Sequence, residues 1–169
     1  MTAAEPMMPV PAWGHSSGLL NIRPEEPLDP GLLADRMAII ERVYRYAWSF
    51  DERQRDLLSE CFAKDATWEA SLMGATTIGP FEGRSAVVAF MTSFWADQLD
   101  QRRHMIMNPI VENQGPSEAT VLTYHLLVST TSRAGVVPVT TGFYSVAMRK
   151  TSKGQWKIRK LVAGYDVPF

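Results

Sequence analysis

Near residue 102 the apolar residues stop recurring every third or fourth position and begin to alternate. The first spacing is that of helices packed on one face. The second is that of strands, and it persists to the C-terminus. Turn chemistry at Gln114-Gly115-Pro116, Arg133-Ala134-Gly135 and Ser152-Lys153-Gly154 divides that half into strands over about 102–114, 118–132, 137–150 and 154–166. Helices first and a meander of hairpins last define an α+β fold.

Before residue 102, Asp29-Pro30 is an N-cap followed by a proline at the first helical position. It predicts a helix over about 30–50, followed by a second over about 52–63 with Leu57, Leu58, Cys61 and Phe62 inward. A short hairpin follows at 66–72 and 76–81, with Trp68, Ala70 and Leu72 on one face. A third helix over about 84–98 presents Val87, Phe90, Met91, Phe94 and Trp95. Residues 1–29 hold five of the eleven prolines and form a tail or an arm. Residues 30–169 form a single domain.

On a helical wheel Leu33, Met37, Ile40, Tyr44, Ala47 and Trp48 make an apolar face, and Asp51 falls near its middle. Two readings fit a carboxylate there. Asp51 with Gln54 three residues on resembles a capping box opening the second helix. Alternatively Asp51 ends the first helix pointing into a cavity.

Composition excludes several classes. A net charge of −1 supplies no field for nucleic acid or an anionic membrane surface. No run of about 18 apolar residues could span a bilayer. Without a basic then apolar leader, a cytoplasmic enzyme or binder is expected. The single cysteine excludes an internal disulfide. Of three histidines, His15 is in the tail and His125 is mid-strand. His104 begins the third strand, and Ile106, Asn108 and Ile110 share its parity.

The order helix, helix, hairpin, helix, meander resembles the SnoaL-like branch of the NTF2-like superfamily. The resemblance rests on residues 44–51, Cys-Phe-Ala-Lys-Asp-Ala-Thr-Trp at 61–68, Phe-Glu-Gly-Arg-Ser-Ala at 81–86, Arg-Arg-His at 102–104 and Gly-Gln-Trp-Lys-Ile at 154–158. It implies three helices on a strongly curved, mixed but largely antiparallel sheet that forms a cone. The helix end at Asp51 is similar to that of scytalone dehydratase. Phe50 to Gln54 and Asp65 to Glu69 are similar to hexachlorocyclohexane dehydrochlorinase. Both similarities imply a catalytic Asp51–His104 dyad. A similarity to bile-acid 7α-dehydratase implies Tyr46 as a further catalytic group. Where scytalone dehydratase has two more tyrosines this chain has Phe50 and Trp68, so the dyad carries over but the substrate pocket does not.

Such a dyad removes a proton beside a leaving group, with Tyr46 or Tyr144 as the acid. The resemblance therefore implies a cofactor-independent lyase eliminating water, halide or a small carbonyl fragment from a hydrophobic, aromatic or polycyclic molecule. Trp48, Phe50, Trp68, Asn108, His125 and Tyr144 are the candidate substrate contacts. No metal-ligand spacing or phosphate loop is present. The alternatives are a cyclase or isomerase on the same cone, or a non-catalytic small β subunit of a ring-hydroxylating dioxygenase. Val121, Val128, Val137, Val139, Val146 and Met148 exceed what one sheet face holds, so a homo-oligomer is expected. The resemblance favours a trimer.

Overall fold

The computed structural model describes residues 22–25 and 27–169. Most of the expected tail or arm, His15 included, lies outside the described residues. Helix α1 covers Leu33–Asp51, α2 covers Arg55–Cys61 and α3 covers Arg84–Ser93. The strands are β1 (Phe62–Leu72), β2 (Thr76–Glu82), β3 (Gln101–Glu112), β4 (Glu118–Thr131), β5 (Gly135–Lys150) and β6 (Trp156–Tyr165). They form one six-stranded sheet in the order β2-β1-β6-β5-β4-β3. The β1–β6 pair is parallel and every other pair antiparallel. This is the expected α+β arrangement, with all three helices preceding the meander.

Several boundaries differ from expectation. The first strand starts at Phe62 because the chain turns straight out of α2 and pairs Phe62 with Ile158 of β6. Helix α3 stops at Ser93, where Ser93 Oγ donates to the Phe90 carbonyl. Side chains that compete for backbone carbonyls weaken helix continuation.

The core lies between the helices and the sheet, around Ile39, Val43, Leu58, Phe62, Val87, Met91, Val146, Trp156, Ile158 and Leu161. Each such side chain contributes roughly 1.5–3 kcal/mol on burial. Val121, Val146 and Met148 belong to this core, so they do not cover the opposite face as strand alternation alone suggests. Val137 is exposed.

The buried stripe of α1 is Ile39, Val43, Tyr46, Ala47 and Ser49. The helix therefore sits rotated from the face read on the wheel. Leu33, Met37 and Trp48 form a second apolar stripe that points to solvent. An apolar count cannot choose between two stripes on one helix. Contacts at both ends do. Asp35 accepts hydrogen bonds from Lys150 of β5 (2.8 Å) and Trp156 Nε1 of β6 (3.0 Å). At the other end Asp51 is held by β3.

Candidate active site

Helix α1 ends in a Schellman motif. Gln54 N–H donates to the Ser49 carbonyl (2.8 Å) and Arg53 N–H to the Phe50 carbonyl (3.1 Å). Arg53 occupies the left-handed position at φ 54°. The side chains around this turn fasten it to the start of β3. Arg53 Nη2 donates to the Gln98 carbonyl, Gln101 Nε2 to the Asp51 carbonyl, and Arg103 pairs with Glu52 at 2.8 Å.

This places Asp51 against His104. The imidazole Nδ1 lies 2.6 Å from Asp51 Oδ1, and the His104 backbone N–H donates to Asp51 Oδ2 at 2.7 Å. Both side chains are buried, 6% and 8% exposed. A carboxylate at a helix C-terminus is disfavoured by the macrodipole, so donors from elsewhere must hold it. His104 supplies both. The capping reading of Asp51 is therefore corrected: α2 is preceded by Gln54 and has no side-chain cap. The αL turn at Arg53 separates the helices and leaves the carboxylate facing β3.

An ionised carboxylate only accepts hydrogen bonds, so in the neutral imidazole that faces it Nδ1 carries the proton and Nε2 the lone pair. His104 also borders a cavity of about 220 Å³. Its walls come from Tyr46 and Phe50 of α1, Trp68 of β1, Phe90 and Met91 of α3, and Leu127 and Tyr165 of the sheet. Phe94, Asp97, Gln98, Arg102 and Phe169 complete the lining. Phe50 meets the His104 ring edge to face at 5.2 Å, and Phe90 stacks on Phe81 at 3.9 Å with Trp68 tilted beside it. The cavity is an aromatic slot with one imidazole in its wall.

Tyr46 is buried and lines this cavity. Burial, with the neighbouring Tyr165 and the Asp51 charge, pushes its phenol well above the ordinary value, and contact with Tyr144 only partly opposes this. It is thus a hydrogen-bond donor across the whole working pH range.

Among the expected substrate contacts, Phe50 and Trp68 line the cavity and four others do not. Trp48 is 68% exposed on the outer stripe of α1, where it borders a second cavity together with Asp51 and His104. Asn108 is exposed because β3 carries a bulge between Met107 and Ile110, with Asn108 at φ 52°. The extra residue breaks the parity with His104 on which the expectation rests. His125 and Tyr144 are buried behind the wall, stacked ring on ring at 4.3 Å. Neither His125 nitrogen has a hydrogen-bond partner, and Tyr144 Oη lies close to the hydroxyls of Tyr46 and Tyr165 without reaching full hydrogen-bond geometry. Burial, and secondarily the nearby His104, lowers His125 to about 3, so its imidazole is neutral. Tyr144, without a place in the lining, is a poor candidate for the acid.

Sequence reasoning missed Arg102, Tyr165 and Phe169. Arg102 had a usable signal, since it shares strand parity with His104. Tyr165 pairs with Gly142, a contact visible only once β5 and β6 are in register. Among the described residues no group of three or more His, Cys, Asp or Glu side chains is placed to hold a metal ion, and no helix is long and apolar enough to cross a membrane.

A family model described as a SnoaL-like domain matches residues 32–162. The chain belongs to the SnoaL-like family. No curated protein matches it. This SnoaL-like domain also has the fold of solved NTF2-like structures. One is an NTF2-like protein with a cystatin-like fold from Novosphingobium aromaticivorans, 23% identical over 80% of this chain and 84% of that one, TM-score 0.67. Aln2 from a Streptomyces species is 18% identical over 83% and 95%, TM-score 0.69. A Novosphingobium aromaticivorans protein assigned as the beta subunit of an aromatic-ring-hydroxylating dioxygenase is 11% identical over 80% and 92%, TM-score 0.65. At these identities the likeness concerns the fold.

Proposed function

We propose that this SnoaL-like domain is a cofactor-independent lyase acting on a small aromatic molecule. The observation that carries the reading is the Asp51–His104 pair set in the wall of an aromatic cavity. His104 Nε2 takes a proton from carbon, and the electron pair left behind forms the new double bond as the leaving group departs. Tyr46 donates its phenolic proton to that group, so the net loss is water or a hydrogen halide. For a small carbonyl fragment His104 would instead take the proton of a hydroxyl group, the C–C bond would break as the carbonyl forms, and Tyr46 would protonate the carbon left with the electron pair. Asp51 fixes the tautomer and stabilises the imidazolium. The cavity, about 220 Å³, is small against typical ligand pockets of roughly 300–1,000 Å³, which favours one or two rings over a polycyclic substrate.

The test is elimination from a panel of aryl β-hydroxy ketones and aryl-alkyl halides, followed by absorbance of the conjugated product. Turnover by the wild type that disappears in His104→Ala supports the lyase. Cyclised or isomerised products that still require His104 would move the assignment to a cyclase or isomerase on the same base. The dioxygenase subunit reading draws support from the fold likeness alone. It predicts co-purification with an iron-containing large subunit and unchanged assembly in His104→Ala.

A further inference from the structure

Arg102 is the permanent cation among the residues lining the cavity. It precedes His104 by two residues on β3, so both side chains leave the strand on the same face, with Cα atoms on the order of 7 Å apart. Its Nε donates to Asp100 Oδ2 at 3.1 Å, and the pair is largely buried, 27% and 14% exposed. Burial opposes ionisation of Asp100, but hydrogen bonds from Ser129 and Arg102 outweigh it and keep the carboxyl below its ordinary value. Asp100 thus anchors the guanidinium at one nitrogen, while the two terminal amino groups make no hydrogen bond to Asp100. A guanidinium held in this way presents a fork suited to a carboxylate.

The other charges near the cavity do not occupy that fork. Asp51 spends both oxygens on His104. Asp97 borders the cavity but is exposed, where water and salt screen it. Trp68, also in the lining, keeps a buried Nε1–H without a partner.

We propose that the substrate is an aromatic acid whose carboxylate is received by Arg102 while His104 faces the carbon that loses its proton. This rests on the base assigned above and adds the class of molecule it acts on. The separation along β3 matches a carboxylate on one side of a ring and the acidic C–H on the other.

Binding of 2-naphthoate and of its neutral counterpart 2-acetylnaphthalene to the full chain, read by tryptophan fluorescence, tests the inference apart from catalysis. The acid is expected to bind about 10- to 100-fold tighter, the worth of a charge-assisted pair. Arg102→Gln should abolish that preference and leave the ketone's affinity unchanged, while Arg102→Lys restores part of it. His104→Gln should retain the preference. Equal affinities in the wild type, or a preference that survives Arg102→Gln, overturn the inference. A preference lost in His104→Gln instead would place the anion on the imidazole, also against it. Binding of neither probe would sink it together with the aromatic-slot reading, whereas loss of lyase turnover alone would leave it standing.

Discussion

Asp51 binds His104 twice, once at the ring and once at the backbone N–H of the same residue. One carboxylate therefore sets both the position of the strand at His104 and the rotation of its imidazole. Removing the charge without changing the shape separates these two jobs.

In Asp51→Asn, the amide oxygen is expected to keep the backbone N–H and the amide nitrogen to face Nδ1. The ring must then accept at Nδ1 and carry its proton on Nε2, which removes the base. Turnover should fall by about 10²–10⁴, the usual worth of a positioned base, with little change in melting temperature. Nitrogen-15 spectra of the imidazole would show the tautomer switch. An Asn variant with wild-type turnover would refute the dyad.

The tyrosines should separate cleanly. Tyr46→Phe removes a donor from the cavity and should lower kcat with the fold intact. Tyr144→Phe removes a buried hydroxyl that only loosely approaches those of Tyr46 and Tyr165, so it should change the melting temperature little. Loss of activity in Tyr144→Phe with full activity in Tyr46→Phe would reverse the assignment.

His125 predicts an acid-side slope in stability. Its folded value, about 3, lies below the unfolded value near 6.5, so between them the unfolded chain binds one more proton. Stability from this group is complete above pH 6.5 and is lost as pH falls toward 3. The slope is at most about 1.4 kcal/mol per pH unit. Denaturant titrations between pH 7 and 4.5 should show it in the wild type and a shallower dependence in His125→Leu.

Asp35→Ala should destabilise the fold by about 1–3 kcal/mol, because it leaves the buried Trp156 Nε1–H without an acceptor. Urea midpoints would measure it. Trp48→Ser, in contrast, should leave the midpoint unchanged, as its side chain is mostly exposed.

The order of elements was legible because two periods, 3.6 and 2, meet at residue 102 in a chain whose turns carry their usual residues. The pairing of Asp51 with His104 was reached through the resemblance, since no local pattern ties two residues 53 positions apart. The failures have physical causes. Trp48 lies off the buried face because α1 bears two apolar stripes and packing selects one. Asn108 was misread because a bulge is invisible to strict alternation. Arg102 was legible through strand parity, yet arginine beside arginine reads as a solvated pair until the cavity is seen.

The bulge at Asn108 splits β3 into two independent registers. Arg102 and His104 obey one, turned to the cavity, and Val111 obeys the other, turned to the core. A regular strand of the same length, without the bulge, would have to point either the imidazole or the valine outward. Chemistry and packing thus share a strand without sharing a reading frame. Substitutions that tune the far half of β3 for stability leave the phase of the base untouched.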